Sequence, residues 1–282
     1  MNDLPELEAQ LAPGEADLLR TTLAALDAGV REAVGDVVGV YLKGSFALGA
    51  GDFHADVDFL VVTSEPLSDS AQADVRSLHR SLPDRVEHWA HNLEGSYVSL
   101  PSLAARASDE PWLYVNNGSR EMEWSTHDNT EVFRWVLRNR GLTISGRSAT
   151  SLIGDVPLVA LRSEVARLAQ SRAREAFEDP DYLANAWGQP HEVLSSCRLL
   201  YTASTGAVAG KADAARWCLS VVPDRFGALI EAAIASRPDP WERVHRQGDP
   251  ASVAPTREFI EAMVPLVVAA AARPVVPPVV GS

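Results

Sequence analysis

The sequence predicts an α+β protein in two parts: strands interleaved with helices up to about residue 156, then an all-helical part. Strand-sized apolar runs such as "VVGVYL" are confined to the first half, while long stretches of helical periodicity fill the second. With 282 residues, 46% of them apolar, the chain has the material for a substantial core. The texture changes at Pro157, so the expected division is 1–156, 157–272 and a tail, 273–282, whose three prolines mark it as flexible.

The elements follow from period and punctuation. Leu18, Leu19, Leu23, Leu26, Val30 and Val34 recur at helical spacing, giving a helix over 15–34. A strand over 37–43, a short helix or turn over 46–50 and a second strand over 56–63 come next. Val75, Leu78 and Leu82 mark a helix over 69–82 that Pro83 ends. "RVEHW", 85–89, alternates as a third strand; a mixed region with "PWLYV", a helix over 129–139 and a strand closing near 146 complete the first part. Helices over 158–177, 191–205, 211–221, 224–235 and 255–272 make up the second, punctuated by Pro180, Pro190, Gly206, Pro223 and Pro238.

Composition narrows the function. A net charge of −13 argues against a nucleic-acid surface, which needs clustered Lys and Arg, and favours a cationic partner. The longest apolar run, "MVPLVVAAAA", falls short of a membrane span, and the acidic start "MNDLPELEAQ" lacks the pattern of a signal peptide, so a cytoplasmic, monomeric protein is expected. Cys197 and Cys218 lie in helix-like sequence and read as buried free thiols. His88 and His91 of "HWAH" would face opposite sides of a strand and are not read as metal ligands.

"GSFALGAGDFHADVDFL" carries the chemistry. On an extended strand Asp56 and Asp58 point to one face while Val57 and Phe59 pack on the other. Two adjacent carboxylates resist joint ionisation unless a cation sits between them, and Mg2+ accepts such oxygen ligands while keeping phosphate and water in its remaining positions. Gly44 and Ser45, where a strand turns into a helix, offer backbone N–H groups and a hydroxyl to phosphate oxygens.

A strand, Gly-Ser, ten residues and then Asp-x-Asp opening an apolar strand resemble the signature of the DNA polymerase beta-like nucleotidyltransferase superfamily. The resemblance implies a mixed sheet with helices and a third carboxylate on the next central strand. Glu87 is chosen for that role, ahead of Asp84 in a turn and Glu94 after a break in the alternation.

"HEVLSSCRLLYTASTGAVAGKADAARWCL", 191–219, is similar to the C-terminal helical bundle of the aminoglycoside 3''/9-adenylyltransferases, the spectinomycin and streptomycin resistance enzymes. That similarity implies ATP as co-substrate, with Arg198, Thr205-Gly206 and Lys211 reaching the nucleotide and His191 near the drug. Trp112 and Trp124 are both candidates for a drug-facing tryptophan, Glu192 is a candidate acid toward a cationic drug, and Gly188 stands where the family has an acid. The implied reaction has Asp56, Asp58 and Glu87 binding Mg2+, and Glu87 accepting the proton of an acceptor hydroxyl that attacks the α-phosphorus of ATP. The alternatives are transfer to a non-antibiotic small molecule or protein hydroxyl, or a non-catalytic nucleotide-binding, antitoxin-like partner.

Overall fold

The computed structural model describes residues 4–84, 88–106, 108–179, 181–236 and 243–274. The chain divides into two compact units, 1–155 and 156–282.

The first unit opens with a short helix, α1 (Pro5–Glu8), and a long one, α2 (Pro13–Ala33). Strand β1 (Val37–Leu42), the one-turn helix α3 (Gly44–Ala47) and strand β2 (Val57–Thr63) follow. Helix α4 (Asp69–Ser81) is capped by the Ser68 hydroxyl, which accepts from the Ala71 N–H. Then come β3 (Leu93–Ser99), α5 (Leu100–Ala105), β4 (Trp112–Val115), β5 (Met122–Ser125), α6 (Glu131–Arg140) and β6 (Leu142–Gly146). The strands form one mixed sheet in the order β5-β4-β3-β2-β1-β6, in which β2 and β3 are parallel and the other neighbours antiparallel.

Strand period assigns the two faces. Val57, Phe59 and Val61 join Leu19, Leu23 and Leu26 of α2 in one core; Leu60 and Val62 join Phe133 and Leu137 of α6 in the other. Asp58 shares the register of the second set, so β2 turns it toward the face that α6 covers. The segment expected as a third strand differs. Residues 85–87 lie outside the described residues, His88–Asn92 forms a 3-10 helix, and the strand beside β2 is β3, eight residues later than expected. His88 is fixed by its ring, which bonds the Phe53 carbonyl at 2.9 Å and stacks on Phe53 at 3.8 Å between centroids.

One buried histidine sets a pH dependence. His79, on α4, is 3% exposed, stacks on Phe59 and bonds the Tyr97 hydroxyl at 2.9 Å. Burial lowers its pKa from 6.5 to about 4. The unfolded chain takes up that proton near 6.5 and the folded chain only near 4, so the contribution is complete above pH 6.5 and falls away as pH drops toward 4. At about 1.4 kcal/mol per unit, that is ~3 kcal/mol of acid-sensitive stability. His79→Gln is expected to flatten the change in urea midpoint between pH 7 and pH 4.5; an unchanged slope would refute the assignment.

The second unit comprises helices α7 (Leu158–Glu178), α8 (Gly188–Thr205), α9 (Lys211–Cys218), α10 (Gly227–Ala235) and α11 (Pro250–Ala271). Helix α8 is its centre, packed against all four others. It ends where Gly206 adopts φ 75°, a left-handed cap that a side chain resists. Among the described residues, no helix is long and apolar enough to cross a membrane.

Candidate active site

The first unit gathers its polar groups where β1 ends and β2 and β3 begin. Gly44, just past β1, has φ 59°, and a Cβ there would lie 1.8 Å from Asp58 Oδ2. Only glycine lets the turn come this close to the carboxylate, which is the physical content of Gly-Ser followed by Asp-x-Asp. Asp56 immediately precedes β2 and is half-buried. Asp58 faces Glu94 across the parallel β2–β3 pair, Cα partner to Cα partner, which puts the two side chains next to each other on one face.

A lysine organises these acids. Lys43, 6% exposed, places its Nζ 2.8 Å from Asp128 Oδ1 and 3.4 Å from Asp58 Oδ1. The Ser96 hydroxyl donates to Asp128 Oδ2 at 2.8 Å, and His127 Nε2 lies 3.4 Å from Glu94 Oε1. Burial raises the Asp58 carboxyl; Lys43 pulls it back, and Glu94 and Asp128 push it further up. Burial also works to raise Glu94, yet the hydrogen bond from His127 and the charge of Lys43 win and hold it at about 2. Lys43 is raised: burial opposes its charge, and Asp128, Asp58 and Glu94 more than offset that cost.

The donor set suits a hard cation in part. Carboxylate oxygens from Asp56, Asp58 and Glu94 are the ligand type that Mg2+ takes. Among the described residues, however, no group of three or more His, Cys, Asp or Glu side chains converges to hold a metal by itself. An ion here needs oxygen from a nucleotide or water, the usual habit of Mg2+ at phosphate sites. Glu87 lies outside the described residues. Glu94 is the acid that the structure puts beside Asp58, and Asp128 and Lys43 join it without having been singled out from the sequence. A charged residue directly before Gly-Ser, at the end of an apolar strand, is the one signal that pointed to Lys43.

In the second unit, α7, α8 and the start of α9 bring together a further cluster. His191 stacks on Trp187 at 4.1 Å between centroids; its Nε2 lies 2.8 Å from Arg172 and its Nδ1 3.3 Å from Lys211 Nζ. Glu192, 1% exposed, pairs with Arg172 at 2.8 Å and accepts from the Tyr182 hydroxyl at 2.9 Å. His191, Glu192 and Lys211 lie close together, and Glu192 is buried and paired with Arg172. Arg198 is half-buried on α8, two turns beyond His191. Trp187, the N-cap of α8 and four residues before His191, was missed; that spacing was its signal.

The two tryptophan candidates separate. Trp112 is 2% exposed on β4, edge-to-face with Phe133, so it is a core residue and does not present its ring to a ligand. Trp124, on the edge strand β5, is 54% exposed.

Comparison with known proteins bears on both units. Residues 152–264 match the family model described as Aminoglycoside adenylyltransferase, C-terminal domain. Spectinomycin 9-adenylyltransferase of Campylobacter jejuni is 22% identical over 227 residues, covering 76% of this chain and 84% of that protein. Its namesake from Staphylococcus aureus is 22% identical over 215 residues, covering 70% of this chain and 76% of that protein. The crystal structure of spectinomycin adenyltransferase AAD(9) from Enterococcus faecialis, with ATP and spectinomycin, shares the fold at a TM-score of 0.67 and 14% identity, over 88% of this chain and 98% of that one. Residues 152–264 thus match the C-terminal domain of the aminoglycoside adenylyltransferases, and the chain as a whole is similar to the spectinomycin 9-adenylyltransferases.

Proposed function

We propose that this nucleotidyltransferase moves AMP from ATP to a hydroxyl of an aminocyclitol of the spectinomycin type. The observation that carries the reading is the Gly44 turn packed on Asp58 with Glu94 in register beside it, in a fold shared with an enzyme crystallised with ATP and spectinomycin. Gly44 and Ser45 hold phosphate oxygens through the turn's N–H groups and the hydroxyl. Asp56 and Asp58 supply oxygen ligands, with Glu94 next to Asp58. A divalent ion such as Mg2+, when bound there, screens the triphosphate and stabilises charge developing on the α-phosphoryl group. Glu94, held ionised, accepts the proton of the acceptor hydroxyl. Within the second unit, Arg198 and Lys211 are assigned to the nucleotide and His191 with Trp187 to the acceptor.

Charge in the second unit favours a modestly cationic acceptor. Its buried acid, Glu192, is neutralised by Arg172, and position 188 is a glycine. A polyguanidinium drug such as streptomycin would lack a free carboxylate there, whereas spectinomycin asks for less. Incubation with ATP, Mg2+ and each drug, read by pyrophosphate release and product mass, tests this. Spectinomycin heavier by one AMP unit is the expected product. Pyrophosphate release with neither drug modified would move the acceptor to a non-antibiotic hydroxyl.

A further inference from the structure

Lys43 is tied to Asp58 through both main chain and side chain. Its N–H donates to the Asp58 carbonyl at 2.8 Å, and its ammonium lies between the carboxylates of Asp58 and Asp128. Little room is left for it to leave. It is 6% exposed and sits 5.5 Å over the Phe133 ring, while Ser96 on β3 fixes the far oxygen of Asp128. Segments far apart in sequence therefore converge on one buried cation: the end of β1, the start of β2, the middle of β3 and the lead-in to α6.

The charges do not balance. Asp58, Asp128 and Glu94 bring three carboxylates within the influence of Lys43. One buried ammonium, with His127 set against Glu94 at 3.4 Å, supports these three carboxylates without neutralising them all. Part of the negative charge that would attract a divalent ion is thus already compensated by the protein.

We propose that Lys43 is a built-in counter-cation of the carboxylate cluster, a positioning residue that holds Asp58 in place in the metal-free protein and weakens the affinity of that cluster for a divalent ion. The proposal rests on Asp58 being a metal ligand. Lys43→Met removes a fixed positive charge close to the ion, so it should tighten divalent binding; Asp128→Asn removes a negative one and leaves the ammonium to Asp58, so it should loosen it. A lysine serving only the fold predicts neither change.

Mn2+ titrations of nucleotide-free protein, followed by calorimetry, read the affinity directly. Lys43→Met is expected to bind Mn2+ about tenfold or more tightly than the wild type, Asp128→Asn more weakly, and Lys43→Arg close to it. In EDTA, Lys43→Met should melt below the wild type, and Mn2+ should raise its melting temperature by a larger step. Where Lys43→Met does not fold, Lys43→Met combined with Asp128→Asn removes the pair together. It should bind Mn2+ more tightly than Asp128→Asn alone, because the ammonium held against Asp58 is gone, and equal affinities in the two would overturn the role of Lys43. Unaltered Mn2+ affinity in Lys43→Met and Asp128→Asn, against measurable wild-type binding, overturns the role of Lys43 and leaves adenylyl transfer standing. No Mn2+ binding in any form, with or without ATP, overturns both the role of Lys43 and the metal reading of Asp58.

Discussion

Asp58→Asn is expected to end adenylyl transfer, with at least about a 10³-fold loss in turnover, while leaving the fold intact. The carboxylate lies against Gly44 and beside Glu94, so it addresses the same small volume as the Gly44 turn proposed to bind phosphate. An amide of the same shape keeps the packing but loses the charge that binds a divalent ion, and with it several kcal/mol of transition-state stabilisation. Removing one of two adjacent acids would by itself relieve repulsion and raise stability. The structure changes that expectation, because Asp58 also partners Lys43, which then keeps only Asp128 at 2.8 Å. Gain and loss oppose each other, and the melting temperature in EDTA should stay within a few degrees of the wild type. Asp56→Asn should likewise cut turnover. Single-turnover transfer with spectinomycin, ATP and Mg2+, beside circular dichroism, is the measurement; a folded Asp58→Asn variant at near wild-type rate would remove Asp58 from the mechanism.

What was legible in the sequence follows from how strongly local pattern fixes each element. β1 and β2 are apolar runs bounded by turn residues, and the Gly-Ser to Asp-x-Asp spacing between them needs no tertiary information. Helices α2, α4, α6 and α7 announce themselves by period, and their observed bounds fall within two residues of expectation. β3 hid for a physical reason. It is an interior strand pressed against β2, and it carries Gly95 where a Cβ would meet the Phe59 carbonyl at 2.2 Å. It also carries Ser96, needed to hold Asp128. Small and polar residues with tertiary jobs replaced the β-branched residues that mark strands elsewhere. The 3-10 turn before it, with His88 at φ 55°, broke the alternation that reading by period depends on. Burial was equally invisible: nothing local tells Trp112 in the core from Trp124 at the edge, or reveals that Glu192 is matched to Arg172 twenty residues away.

That displaced strand sets up the sharpest test of the mechanism. With β3 at Leu93–Ser99, Glu94 is the acid beside Asp58, so Glu94→Gln should slow the transfer step by roughly 10²- to 10⁴-fold while ATP still binds. Its carboxyl is held at about 2, where His127 and Lys43 outweigh the cost of burial. Glu94 is therefore ionised across the working range, and its titration should put no acid limb on the rate above about pH 4. A base with so low a pKa is weak toward a free hydroxyl, so Glu94 would take the proton as the new P–O bond forms and pyrophosphate leaves, when the hydroxyl has become acidic. Glu87→Gln is the companion measurement. If Glu94 is the base, Glu87→Gln leaves the single-turnover rate within a few-fold of the wild type. A large loss of the chemical rate in Glu87→Gln, with Glu94→Gln still fast, would return the role to Glu87. Loss of ATP binding in Glu94→Gln with an unchanged rate at saturation would make Glu94 a ligand for the nucleotide's metal and not the proton acceptor.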